Sequence, residues 1–73
     1  SPFHFLRLFR RQYGLPPHTA QTQMRVNMAR RLLANGATIA GAAAAAGFAD
    51  QSHFTREFKK SVGTTPQKYR QAA

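Results

Sequence analysis

Residues 38–63 read TIAGAAAAAGFADQSHFTREFKKSVG, and the punctuation of this stretch decides the fold. Thr38 is suited to cap a helix, and Ile39 to Ala46 supply a short segment made almost entirely of small side chains. Gly47 breaks that segment where a positive φ comes most easily to glycine. Asp50 then caps a second segment, Gln51 to Val62, in which Phe54, Phe58 and Val62 recur at i, i+4 and i+8, and Gly63 ends it. Small side chains let a second helix cross close above the first, and Phe48 stands where it would plug the corner. The spacing predicts a helix-turn-helix whose second helix is the reader.

Working outward, Ser1-Pro2 is a helix start, and Phe5, Leu8, Phe9 and Tyr13 follow at helical spacing until Gly14. Pro16-Pro17 opens a longer segment that runs to about Asn35-Gly36, with Met24, Met28, Ala29, Leu32 and Leu33 as its expected apolar stripe. At ~1.5 Å per residue this helix spans ~27 Å. Thr65-Pro66 starts a short last helix that contains Tyr69 and Arg70. No strand-period alternation appears. The expected class is all-α, a bundle of about five helices in three parts: 1–14, a joining helix over 15–36, and 37–73.

The chain also overlays itself at a shift of 49 residues. His4-Phe5 falls on His53-Phe54, Arg7 on Arg56, Phe9 on Phe58, Arg10-Arg11 on Lys59-Lys60, Gly14 on Gly63 and Pro17 on Pro66. One unit therefore occurs twice. In each copy the i, i+4 phenylalanines are expected to seat the helix, and the arginine two residues from each projects from another face. Two such readers joined by a helix of ~27 Å suit B-DNA, which repeats every ~34 Å.

Charge narrows the partner. Eleven Lys and Arg oppose two acids among 73 residues, a net charge of +9. So one-signed a surface points to a polyanion: DNA, RNA, the ribosome or an anionic membrane. No apolar run approaches the ~20 residues of a membrane span, and no signal-peptide pattern opens the chain. Two acids, three dispersed histidines and no cysteine offer neither a catalytic constellation nor a metal-ligand spacing, so no enzyme and no cofactor is expected.

Within the reader, Gln51, Ser52, His53, Thr55 and Arg56 occupy the positions that approach base edges in such a motif. Arg can pair bidentately with guanine and Gln with adenine. His53 has a second reading, as support for the helix start. Arg10, Arg11, Lys59, Lys60, Lys68 and Arg70 suit phosphates, which set affinity and register. A non-specific cationic module for RNA or an anionic membrane surface is the competing reading.

The stretch Gly47-Phe48-Ala49-Asp50-Gln51-Ser52-His53-Phe54-Thr55-Arg56, then Phe58-Lys59, and later Gly63, Thr65-Pro66 and Tyr69-Arg70, resembles the C-terminal signature of the AraC/XylS family of transcription regulators. Arg25, Ala29-Arg30-Arg31-Leu32-Leu33, Ile39-Ala40, Ala43, and Ser1, Arg7 and Phe9 extend the resemblance over nearly the whole chain. It implies two helix-turn-helices joined by a long helix, with recognition helices in successive major grooves. The first reader would use Phe3, Leu6 and Arg7, Leu6 touching at most a thymine methyl. It also implies a bacterial cytoplasmic, nucleoid-associated regulator, usually an activator that contacts RNA polymerase, with a sensor or dimerisation domain upstream. Against that pattern the chain reads as a piece of a longer protein that starts at the first recognition helix. Ala20 stands where an aromatic is common, and Pro16 replaces a serine cap. Phe3, Phe5, Leu6, Leu8 and Phe9 are expected to expose apolar surface that invites self-association.

Overall fold

A computed structural model describes residues 2–14 and 17–73, and for Pro2, Phe3, Leu6, Phe9 and Pro17 it describes the backbone alone. The expectations placed on Ser1 and Pro16 lie outside the described residues. Five helices follow one another: α1 Pro2–Tyr13, α2 Pro17–Ala34, α3 Ile39–Ala45, α4 Gln51–Val62 and α5 Pro66–Ala72. No strand occurs among the described residues.

Each boundary has a local cause. Gly36 takes φ +96°, its N–H donates to the Leu33 carbonyl at 3.0 Å, and the Ala37 N–H donates to the Leu32 carbonyl at 3.0 Å. This paired closure satisfies carbonyls that the end of α2 would leave open. At the start of α5 the Thr65 hydroxyl accepts from the Lys68 N–H at 3.2 Å, and buried Pro66 holds the first helical position.

The core gathers Val26, Ala29 and Leu33 of α2, Ala42, Ala43 and Ala46 of α3, Phe48, and Phe54 and Phe58 of α4. Three of its rings form a row that Tyr69 extends, with Phe58 meeting both Phe54 and Tyr69 edge to face. Phe48 lies 5.2 Å from Phe54, Phe54 5.5 Å from Phe58, and Phe58 5.5 Å from Tyr69. Tyr69 in turn carries the Arg30 guanidinium at 5.6 Å.

The apolar stripe expected for α2 is corrected here. Met24 and Met28 are 40% and 43% exposed, and the core face is Val26, Ala29 and Leu33. At 100° per residue those three cluster within about 60°, and the methionines stand almost opposite. Ala20, on the methionine side, is also buried, and α1 packs against α2. A helix that packs on α1 as well as on α3, α4 and α5 has two apolar faces, and the expected stripe merges them.

Candidate nucleic-acid interface

The helix-turn-helix is built residue by residue from its caps. The Thr38 hydroxyl accepts from the Gly41 N–H at 3.0 Å and starts α3. At its other end the Gly47 N–H donates to the Ala44 carbonyl at 3.1 Å and the Phe48 N–H to the Ala43 carbonyl at 3.0 Å. Gly47 has φ +92°, and Phe48, only 7% exposed, fills the corner between the helices. An Asp50 carboxylate oxygen accepts from the His53 N–H at 2.7 Å and starts α4. Arg25 of α2 lies across the turn, its Nε 3.1 Å from the place a Cβ on Gly47 would take. That contact joins residues far apart in sequence, and no local pattern announces it.

The two sides of α4 differ completely. Phe54 and Phe58 have no exposed surface and lock the helix against α2, α3 and α5. On the outer side Ser52, Arg56, Lys59 and Lys60 are exposed, Gln51 is exposed at the start of the helix, and Thr55 is half-buried on the flank. Gln51, Ser52, Thr55 and Arg56 together line a shallow hollow of about 440 Å³. His53 is half-buried, with its ring edge-on to Phe48 at 5.5 Å and Nε2 3.9 Å from a Glu57 carboxylate oxygen. Its backbone takes the Asp50 cap and its ring packs on the corner, so the helix-start role has a visible basis.

Both acids of the chain are thereby engaged, Asp50 with its own helix and Glu57 beside His53. The outer face of α4 presents amide, hydroxyl and guanidinium groups, with Lys59 and Lys60 in its last turns. Such groups donate to base edges and phosphate oxygens.

The remaining expected site residues divide. Arg7, Arg10, Arg11 and Lys68 are exposed. The side chains of Phe3 and Leu6 lie outside the described residues. On α1, Phe5, Leu8 and Tyr13 are 47%, 45% and 62% exposed. Phe5 is therefore not seated as its repeat partner Phe54 is, because α1 packs chiefly on α2 while α4 is held from three sides. Arg70, expected at a phosphate, donates from Nε to the Ala37 carbonyl at 2.7 Å and from its terminal nitrogen to the Gly36 carbonyl at 3.3 Å. Among the described residues no group of three or more His, Cys, Asp or Glu is placed to hold a metal ion, and no helix is long and apolar enough to cross a membrane.

Comparison with known proteins gives one consistent result. A family model described as a helix-turn-helix domain matches residues 1–72. The chain is 37% identical over 70 residues to the regulatory protein ada of Salmonella typhimurium, covering 96% of this chain and 20% of that protein. It is 37% identical over 67 residues to the virulence regulon transcriptional activator VirF of Yersinia enterocolitica, covering 90% of this chain and 25% of that protein. To the arabinose operon regulatory protein of Salmonella typhimurium it is 35% identical over 71 residues, 96% of this chain and 25% of the other. The chain thus spans about a fifth to a quarter of the length of these relatives. No solved structure gives a significant match.

Proposed function

The chain belongs to the AraC/XylS family, whose helix-turn-helix domains bind DNA sequence-specifically, and from that premise we propose that it reads double-stranded promoter DNA with α4 in one major groove and α1 in the next. The parts are then a first reader over 1–14, a joining helix over 15–36, and a complete helix-turn-helix with its closing helix over 37–73. In α4 the base contacts fall to Gln51, Ser52, Thr55 and Arg56, with His53 at the corner. In α1 they fall to Phe3, Leu6 and Arg7. Arg10, Arg11, Lys59, Lys60 and Lys68 supply phosphate contacts, to which Arg70 adds less because its donors face backbone carbonyls.

The observation that carries this reading is the contrast across α4. Phe54 and Phe58 are wholly buried while Ser52 and Arg56 are exposed on the other side. A rod fixed from behind offers its outer side chains in a defined geometry, which is what base readout requires. The molecule measures 37 × 22 × 20 Å, and its long dimension is comparable with the ~34 Å repeat of B-DNA.

Similarity to the Yersinia transcriptional activator supports activation as the outcome. Contact with RNA polymerase, an attached sensor or dimerisation domain, self-association through the apolar side of α1 and a bacterial cytoplasmic setting at the nucleoid complete the proposal. Selection from random DNA duplexes tests its centre. The expected result is an enriched motif, with two boxes about one helical turn apart when both readers engage. Binding that enriches no sequence, and that RNA or anionic vesicles compete away equally, would return the chain to the class of non-specific cationic modules.

A further inference from the structure

Base reading by the outer face of α4 leaves one concave feature beside it unused. The first half of α2 and the length of α4 from His53 to Ser61 flank a groove of about 470 Å³. His18, Thr19 and Thr22 line its α2 wall, and Lys60 and Ser61 its α4 wall. Wholly buried Val26 closes its base. The Ser61 hydroxyl donates to the Gln23 side-chain oxygen at 3.1 Å and ties the two walls together. The groove is lined by hydroxyls, the imidazoles of His18 and His53, the Gln23 amide, the Lys60 ammonium and the Glu57 carboxylate.

Its place decides what it can hold. Lys60 follows Arg56 by four residues, so it stands one turn further along α4 and on the flank next to the reading face. A helix whose outer face lies in a major groove brings its flank over the phosphodiester strand that borders that groove. Resting on the DNA reading above, we propose that the α2–α4 groove seats that sugar-phosphate strand, with Thr19, Thr22 and Lys60 donating to phosphate oxygens. The occupant is part of the duplex read by α4, on the side toward α2.

Glu57 also lines the groove, with its carboxylate 3.9 Å from His53 Nε2. It opposes an anion there and so fixes the sign of one test. Glu57→Gln is expected to tighten binding to the selected duplex and to random duplex alike, by about threefold at low salt. Thr19→Val with Thr22→Val keeps the net charge and removes two donors, and is expected to weaken both duplexes about tenfold. In phosphate-ethylation interference, the same pair of changes is expected to erase the signal at the phosphates flanking the α4 box and nowhere else. Circular dichroism and melting confirm that each variant is folded.

A folded double-valine variant with unchanged affinity and an unchanged interference pattern, in a chain that still selects its sequence, overturns this proposal alone. Weaker or unchanged binding by Glu57→Gln does the same. Equal loss toward heparin and duplex overturns it as well, since the groove would then be a general polyanion site. Failure of the unmodified chain to select any sequence removes the DNA reading and this proposal with it.

Discussion

Arg70 on α5 closes the turn between α2 and α3, its Nε 2.7 Å from the carbonyl oxygen of Ala37 and its terminal nitrogen 3.3 Å from that of Gly36. The guanidinium fork spans two successive carbonyls, a geometry that an ammonium cannot copy. Arg70→Met is expected to cost about 1 kcal/mol, the scale of a solvent-accessible charged hydrogen bond. Arg70→Lys is expected to recover little of it. A fall in melting temperature of about 4–8 °C for Arg70→Met is the corresponding readout in a domain of this size. Equal stability of the two variants and the parent would assign Arg70 back to the solvent and to phosphate.

The turn of the helix-turn-helix depends on Gly47 in two ways. Its φ of +92° strains any residue with a Cβ, and that Cβ would meet the Arg25 side chain at 3.1 Å. The backbone strain alone amounts to roughly 1–2 kcal/mol. Gly47→Ala is therefore expected to lower the urea midpoint with an unchanged slope, and to weaken DNA binding by altering the angle between α3 and α4. A midpoint equal to that of the parent would show that Arg25 yields and the turn relaxes.

How far the sequence could be read follows from which signals are local. Asp50, Phe54, Phe58 and Gly63 mark α4 within one span of chain, and the structure has α4 at Gln51–Val62 as expected. The turn at Gly47-Phe48 was legible for the same reason. The packing of α2 was not, because one helix carries two faces, and a single stripe drawn through Met24, Met28, Ala29 and Leu33 mixes them. Arg25 over Gly47 and Arg70 under Ala37 were also hidden, since each contact joins residues that meet only after folding. The α2–α4 groove needs both helices in place before Thr22 and Lys60 face one another across it. The spacing rules could assign a face to Arg56, but its base partner depends on the DNA as much as on the protein.

Phe54 lies in the middle of the ring ladder with 0% exposure, between Phe48 and Phe58. Phe54→Ala removes both ring contacts and leaves a void, at a cost of about 3–5 kcal/mol. A domain of this size has little reserve. The expected outcome is loss of a cooperative thermal transition in circular dichroism. A sharp transition near the parental temperature would mean that the core closes over the gap and that α4 is not held by this ladder.

Arg56 is exposed on the outer face and lines a shallow hollow with Gln51, Ser52 and Thr55. Arg56→Ala is expected to cost about 1–3 kcal/mol on the selected duplex and to relax preference at one base pair. Stability should hardly change, since the side chain carries no packing in the core. Titration against selected and random duplexes separates the readings. Equal loss on both would reassign Arg56 from base edge to backbone.

Lys59 completes the contrast, because it is exposed on the same helix but toward the C-terminal end, away from the Asp50 cap where base contacts concentrate. A lysine there neutralises a phosphate and releases a counterion. Lys59→Ala is expected to weaken selected and random duplexes by the same factor and leave the preferred sequence unchanged. The slope of log affinity against log salt should become shallower by about 0.9 for one lost contact. Arg70→Met, by contrast, should leave that slope nearly intact, because the Arg70 donors face Ala37 and Gly36. If the two variants change the slope equally, the division of labour between phosphate contact and turn closure fails, and Arg70 joins the electrostatic surface.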